Sequence, residues 1–272
     1  MANYNRCMDI VNPWLLLWNA LAVLMYMSLV FVVAYRRKQL ATVDAGWGVG
    51  FVIVASLTAG LFLEPRLILI TILVDIWAIR ITDHLATRVF KSKEDDPRYV
   101  EIAKKWNTKT YWLRAYVSIF LLQGLLIWLI SLPVMFAANP VNDGWLFWAV
   151  IGTVVWLKGF IIEATADRQL KMFLADPSNK GRVLDTGLWR ASRHPNYLGE
   201  ITQWFGIGLI ACGASYGWVG FIGPIVLLFL IRFISGVPPI ENRKKHEPAY
   251  AAYMKKTNPI WPKFSQLRQT KK

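Results

Sequence analysis

The chain has 272 residues, of which 55% are hydrophobic and 14% aromatic, and its formal net charge is +14. Only 18% of the residues are charged, whereas an ordinary soluble chain has about a quarter. The apolar residues form long runs and the basic residues lie between them, which excludes a soluble domain and argues against a nucleic-acid-binding protein. The two cysteines, Cys7 and Cys212, match neither a metal site nor a redox motif.

Seven apolar runs approach the length of about 20 residues that a membrane-spanning helix needs. They cover residues 14–35, 47–63, 67–82, 117–136, 145–162, 197–213 and 216–234. The connections between them alternate between strongly basic and nearly uncharged, and basic connections face the cytoplasm. The pattern predicts an all-α polytopic membrane protein of about seven transmembrane helices, with the amino terminus outside and the carboxyl terminus cytoplasmic.

No internal repeat divides the chain. We expect residues 1–265 to form one membrane-embedded domain and residues 266–272 to be a disordered basic tail. A short amphipathic helix is predicted on the cytoplasmic side between residues 94 and 106. Neither a G-x-G-x-x-G motif after a strand nor a P-loop is present, so a nucleotide must be held by the membrane domain and its loops. We expect no metal site.

A dense polar motif lies where the sixth run begins. Arg193, His194, Asn196, Tyr197 and Glu200 fall within eight residues at the mouth of a membrane helix, where polar groups are costly and indicate function. Arg193 and His194 offer donors for phosphate. Asn196 and Glu200 are four residues apart and share a helix face. The simpler interpretation is an interfacial anchor at the lipid headgroups, but the density of the motif favours a ligand site.

Charged residues that suit an anionic ligand precede this motif. Asp167 and Lys171 are four residues apart after the fifth run, and Arg182 lies in the following loop. Arginine is the natural partner of a pyrophosphate or a 2′-phosphate. The alternative is the general bias of cytoplasmic loops toward basic residues. For Arg182 and Arg193 we favour ligand binding.

The segment from about Ala166 to Phe264 resembles the C-terminal domain of the steroid 5-alpha-reductase family, most closely its bacterial branch of unassigned substrate. The resemblance implies a membrane reductase that binds NADPH. An alignment of the motif without gaps implies cofactor contacts at the matching positions of this chain, which are Asp167, Arg182, Asn196, Glu200 and Trp204. Further along, where the alignment contains gaps, Arg232, Tyr250 and Tyr253 also match the family pattern. The alternative for the two tyrosines is that they are surface aromatics of an interfacial helix. The predicted cofactor site also includes Lys171, Arg193, His194 and Tyr197.

The residues that would act on the substrate depart from the family pattern. In the family, a Tyr on the third helix and a Glu from the second polarise the substrate ketone. Here the alignment places Trp77 at that Tyr and His84 at a second family Tyr, and an indole cannot transfer a proton. Asp44, Asp75 and His84 are the candidate proton carriers. An ion pair between Asp75 and Arg80 is the structural alternative.

These observations predict an integral membrane reductase that transfers a hydride from NADPH to an activated double bond of a steroid-like or other lipid substrate. Its expected partners are that small molecule and membrane lipids, with no nucleic acid. Its expected location is the bacterial inner membrane, or the endoplasmic reticulum membrane if the source is eukaryotic.

Two alternatives stay open. One is an S-adenosylmethionine-dependent methyltransferase of the isoprenylcysteine type, whose Arg-His-Pro-x-Tyr-x-Gly motif is similar. The other is a non-catalytic lipid or sterol binder, and Trp77 favours it.

Overall fold

The computed structural model describes residues 12–92 and 94–262. Within these residues the chain is built from helices, and its β-structure is limited to two isolated bridges. The predicted all-α class is therefore confirmed for this part of the chain. The predicted tail at residues 266–272 lies outside the described residues.

The helices follow one another with short connections. In chain order the α-helices of the described residues are α1 (Pro13–Arg37), α2 (Thr42–Phe62), α3 (Pro65–Lys91), α4 (Pro97–Ala103), α5 (Tyr111–Ala115), α6 (Leu122–Ile130), α7 (Leu132–Phe136), α8 (Trp145–Ala175), α9 (Leu188–Ala191), α10 (Pro195–Ala211), α11 (Ile222–Phe229), α12 (Val237–Lys244) and α13 (Pro248–Lys256). A π-helical stretch, Tyr116–Leu121, joins α5 to α6, and a second, Leu230–Ile234, continues α11.

Among the described residues, five helical segments are long and apolar enough to cross a membrane. They are Pro13–Arg37, Thr42–Phe62, Thr108–Ile130, Trp145–Ala175 and Gly217–Lys244. Helices α3 and α10 coincide with the other two predicted spans. However, α3 carries Asp75 and Arg80, and α10 has 17 residues. The count of seven spans and their orientation stay predictions.

The chain divides into two compact units. The first runs up to Val150 and includes Gly208–Gly223, and the second consists of Ile151–Ile207 and the chain from Pro224 onward. The prediction of one membrane-embedded domain over residues 1–265 stays a prediction.

In the first unit, α2 and α3 form a closely packed hairpin. Leu63 ends α2 in the left-handed region, with φ at 49°, and the chain turns directly into α3. A Cβ atom at Gly48 would lie 2.4 Å from Thr82 Oγ1 and 2.9 Å from the carbonyl oxygen of Ala78. The two helices can therefore approach this closely only because residue 48 has no side chain.

In the second unit, α8 and α10 cross at glycines. A Cβ atom at Gly199 would lie 2.6 Å from the backbone nitrogen of Glu163 and 2.7 Å from the carbonyl oxygen of Gly159. Two turns further along α10, a Cβ atom at Gly206 would lie 2.7 Å from the carbonyl oxygen of Gly152. The helices therefore touch backbone to backbone, and this crossing places the first turns of α10 beside the middle of α8.

Candidate functional site

The start of the polar motif is anchored to the end of α8. Gly187 has φ at +58°, and a Cβ atom there would meet the side chain of Gln169 at 2.5 Å. Gln169 Oε1 accepts a hydrogen bond from the backbone of Leu188 at 3.0 Å, and Trp189 Nε1 donates to the carbonyl oxygen of Ala166 at 3.1 Å. The Gly-Leu-Trp lead thus fixes where the chain turns toward α10.

The segment after α13 is tied to the same turn. Ser192 and Asn258 form an isolated parallel bridge, and the backbone N–H of Arg193 donates to the Asn258 carbonyl oxygen at 2.9 Å. Ser192 Oγ donates to the carbonyl oxygen of Pro259 at 3.2 Å. The C-terminal segment therefore forms one wall around the start of α10.

Arg193 and His194 share a single carboxylate, that of Glu241 on α12. Arg193 Nε and Nη2 each lie 2.7 Å from Glu241 Oε1, and His194 Nε2 lies 3.2 Å from the same atom. Arg193 Nη1 also donates to the carbonyl oxygens of Met254 and Thr257. The structure thus gives these two motif residues protein partners, and the predicted phosphate contacts of Arg193 and His194 stay predictions.

The remaining motif residues lie along α10. Asn196, Glu200 and Trp204 follow one another at intervals of four residues, so they form one stripe of the helix. Asn196 Oδ1 is buried and has no hydrogen-bond partner among the described residues. The ring of Tyr197 stacks on that of His194, with centroids 5.3 Å apart and planes 17° apart. The structure therefore presents a buried acceptor at the first turn of α10.

A buried polar pair that the sequence analysis missed lies beside this stripe. Gln203 Nε2 donates to Glu163 Oε2 at 2.5 Å and to the carbonyl oxygen of Gly199 at 3.3 Å. Glu163 and Gln203 are only 2% and 1% exposed. The available signal was Gln203 inside a run predicted to cross the membrane, where such residues are rare, and Glu163 directly after the preceding run.

Four further predicted cofactor residues are spread over α8, its following loop and the π-helical stretch. Asp167 is half-buried one turn after Glu163, and Lys171 is exposed one turn later. Arg182 is exposed in the loop, and Arg232 is half-buried with its guanidinium carbon 5.0 Å from the centroid of the Phe233 ring. π-helical turns are frequent at functional sites.

Tyr250 and Tyr253 are both buried in α13, with ring centroids 5.9 Å apart. Burial raises the pKa of Tyr250 to about 12, and burial together with the neighbouring Tyr250 raises the pKa of Tyr253. Tyr253 therefore keeps its proton, and its hydroxyl donates to the carbonyl oxygens of Trp189 and Ser192. Tyr253 thus holds α13 against the motif, and Tyr250 packs on Tyr253.

In the first unit, the candidate Asp44 is engaged by three donors. Arg98 Nη2 lies 2.6 Å and Arg88 Nη2 3.1 Å from Asp44 Oδ2, and the Tyr99 hydroxyl donates to Oδ1 at 2.6 Å. Burial and the neighbouring Asp44 raise the pKa of Tyr99 well above its ordinary value. Asp44 thus joins α2 to α3 and α4.

Asp96 completes this cluster in the loop before α4. Its carboxylate accepts from the backbone N–H of Arg98 at 2.9 Å and from Arg98 Nε at 3.0 Å. Burial alone would raise the pKa of Asp96, but these hydrogen bonds and the charges of Arg98 and Arg88 outweigh it and lower the pKa.

The other three candidate catalytic residues all lie on α3. Trp77 is 2% exposed and packs edge-on against Phe51, with ring centroids 5.3 Å apart. Asp75 is half-buried, and its Oδ1 atom has no hydrogen-bond partner within the described part of the chain. His84 is exposed. The proton-transfer roles predicted for these residues stay predictions.

A family model described as "Protein of unknown function (DUF1295)" matches residues 30–257 of the chain. An uncharacterised protein of Schizosaccharomyces pombe, C594.04c, is 25% identical over 224 residues, which are 73% of this chain and 64% of that protein.

Two Arabidopsis thaliana proteins match shorter stretches. Delta(14)-sterol reductase is 27% identical over 116 residues, covering 39% of this chain and 31% of its own length. Steroid 5-alpha-reductase DET2 is 35% identical over 82 residues, covering 29% of each protein.

A probable O-methyltransferase, ustE, of Ustilaginoidea virens is 32% identical over 66 residues, covering 24% of this chain and 23% of its own length. The chain spans less than two thirds of the length of each of these four relatives. None of the solved structures is similar enough to count as a match.

Proposed function

Because this chain belongs to the DUF1295 family, a steroid 5-alpha-reductase-like family of membrane proteins, we propose that it is an integral membrane reductase that uses NADPH. The proposed reaction adds a hydride to one carbon of an activated double bond in a steroid-like or other lipid substrate, and a proton to the other carbon. When bound, NADPH supplies that hydride. The similarity to a sterol reductase and a steroid 5-alpha-reductase supports this chemistry.

The proposal depends on one observation, the state of the Asn196 side-chain amide. Its Oδ1 atom is buried and has no donor among the described residues, and an unsatisfied buried acceptor is costly. A ligand with N–H donors, such as the carboxamide of a nicotinamide, removes that cost. The exposed Lys171 and Arg182 belong to the same unit and offer positive charge for phosphates, which S-adenosylmethionine lacks.

The proposal gives eight of the predicted cofactor residues a direct role. Asn196 and Glu200 orient the polar end of the cofactor, and Tyr197 and Trp204 shield it from water. The phosphates are bound by charged residues of the same unit, namely Lys171, Arg182 and Arg232. Asp167 accepts a hydrogen bond from the ligand.

The proton is assigned to α3. Asp44 is already engaged by Arg88, Arg98 and Tyr99, so His84 and Asp75 are the better candidates. His84 is exposed, and the two ring nitrogens of an imidazole allow it both to donate and to accept a proton. His84→Ala should abolish reduction of the lipid substrate while NADPH still binds, which separates proton transfer from cofactor binding. Full activity in this variant would exclude the assignment.

The deciding experiment measures nucleotide binding by the detergent-purified protein, using energy transfer from tryptophan to NADPH. Asn196→Ala should weaken NADPH binding by about 1–3 kcal/mol, roughly 5- to 150-fold, because the ligand loses its acceptor. Asn242→Ala is the matched control, since Asn242 is exposed on α12 and its Oδ1 atom accepts a hydrogen bond from Lys245 of the same segment at 3.2 Å. Equal affinity for NADPH in the Asn196 variant and the unmutated protein would refute the proposed site.

The same preparation tests the alternatives through calorimetry with S-adenosylmethionine. The short match to a probable O-methyltransferase keeps this candidate in view. Binding of S-adenosylmethionine in preference to NADPH would favour a methyltransferase. Binding of neither nucleotide would favour a non-catalytic lipid binder.

A further inference from the structure

The carboxylate of Glu241 is shared by two consecutive residues of the motif. Its Oε1 atom lies 2.7 Å from both Nε and Nη2 of Arg193 and 3.2 Å from Nε2 of His194. The side chains of Glu241, Arg193 and His194 are 13%, 7% and 4% exposed. A guanidinium this deeply buried depends on its partner, because an unpaired buried charge is strongly destabilising.

Arg193 extends this contact to the end of α13. Its Nη1 atom donates to the carbonyl oxygen of Met254 at 3.0 Å and to the carbonyl oxygen of Thr257. Carbonyl groups at the end of a helix lack donors within that helix, and a basic side chain can satisfy them. One guanidinium therefore joins α12, the end of α13 and the residues that lead into α10. Its Nε, Nη1 and Nη2 atoms each face a protein acceptor.

This cluster directly adjoins Asn196. Helix α10 begins at Pro195, immediately after His194, and the His194 ring stacks on that of Tyr197. Glu241 fixes the His194 ring through Nε2, and that ring packs on the first turn of α10. Glu241 therefore contacts the residue that immediately precedes α10 and packs on its first turn, although the two residues are 47 positions apart in the sequence.

We propose that Glu241 is a positioning residue of the nucleotide site, acting through Arg193 and His194 to aim the Asn196 amide at the ligand. The inference rests on the proposed function and states how its site is held in shape. In this arrangement Glu241 binds no ligand itself. Arg193 holds the C-terminal segment against the start of α10.

A double-mutant cycle tests the inference, with the NADPH dissociation constant as the readout. We expect Glu241→Gln to weaken NADPH binding by about tenfold or more, because the amide cannot pair with both basic residues. In an Asn196→Ala background the same change should cost less than about threefold, since residues that act through one contact are not additive. A purely structural effect of Glu241 would be equal in both backgrounds.

Glu247→Gln is the matched control. Glu247 is exposed at the start of α13, and its side chain makes no capping hydrogen bond. We expect this variant to bind NADPH like the unmutated protein. Size-exclusion chromatography and thermal unfolding in detergent confirm that each variant is folded.

Glu241→Asp keeps the charge on a shorter side chain and should give an affinity between those of the unmutated protein and Glu241→Gln. If Glu241→Gln does not fold, the cycle is measured with Glu241→Asp. Unchanged affinity, or an equal loss in both backgrounds, overturns the positioning role. An unmutated protein that does not bind NADPH overturns the proposed function instead.

Discussion

At the scale of single residues, Asp44 shows how the surroundings of a side chain limit its chemistry. The sequence marks it as a possible proton carrier because it is an acid near a membrane helix. In the structure, its carboxylate accepts hydrogen bonds from Arg88 of α3 and from Arg98 and Tyr99 of α4. These contacts link three helices, so Asp44 serves the stability of the first unit.

Removing one of these donors should have a measurable cost. A hydrogen bond to a charged group contributes about 1.5–3 kcal/mol, so Tyr99→Phe should lower the free energy of unfolding by about that amount. The measurement is chemical unfolding in detergent, followed by circular dichroism. Tyr35→Phe is the control, because that residue is 53% exposed. Equal effects of the two substitutions would show that the Tyr99 hydroxyl does not support Asp44.

The residue scale also shows where sequence reasoning stops. The Asn196–Glu200 pair is visible because both residues lie in one short helical motif. The partner of Arg193 is not visible, because Glu241 is 48 residues away and no local pattern connects them. A basic residue beside a membrane helix indicates an anionic partner, but its type does not distinguish a phosphate from a protein carboxylate. Glu163 and Gln203 are likewise 40 residues apart, so their types could draw attention to each of them but not to their pairing.

At the scale of helices, hydrophobic runs locate the elements but not their ends. The fifth apolar run ends at residue 162, whereas α8 continues to Ala175. The polar second half of α8 contains no helix-breaking residue before Pro177. A proline disfavours helical geometry at the residue that precedes it, so the helix ends there. The predicted helix between residues 94 and 106 forms as α4, Pro97–Ala103, and Asp96 caps it by accepting from the backbone of Arg98. The glycine crossing of α8 and α10 depends on pairing and could not be predicted from either helix alone.

Two glycine substitutions should therefore have opposite effects. Gly199→Ala would place a Cβ atom 2.6 Å from the backbone of Glu163, and such overpacking should cost about 1–3 kcal/mol of stability. Gly60→Ala on α2 meets no described atom within 4 Å and should stabilise the helix by about 0.5–1 kcal/mol. Thermal unfolding in detergent measures both. A Gly199→Ala protein as stable as Gly60→Ala would exclude the close crossing of α8 and α10.

At the scale of the whole molecule, the number of membrane crossings depends on α3 and α10. Helix α3 is long enough to cross but contains Asp75 and Arg80, and α10 is apolar but short. The five segments that meet both conditions are the ones that hydrophobicity identifies without ambiguity. The family resemblance and the start of the motif helix come from sequence alone, whereas the division into two units depends on contacts that hydropathy does not encode.

The loops on either side of α8 differ strongly in charge, so this helix can test the predicted orientation of the chain. The loop before α8, residues 137–144, contains no Lys or Arg, whereas six basic residues lie between Arg168 and Arg193. Because basic loops stay in the cytoplasm, we expect residue 143 to lie outside and residue 180 to lie inside. Asp143 and Lys180 are both exposed, so a cysteine at either position can react with a maleimide.

The experiment uses a protein in which Cys7 and Cys212 are replaced by Ser, so that each new cysteine is the reactive thiol. In intact cells, a maleimide that cannot cross the membrane should label Asp143→Cys at once. It should label Lys180→Cys only after the membrane is permeabilised. The reverse pattern would invert the orientation of α8, and labelling of both positions in intact cells would mean that α8 does not separate the two loops across the membrane. Either result would also remove the support that loop charge gives to a nucleotide site on the cytoplasmic side.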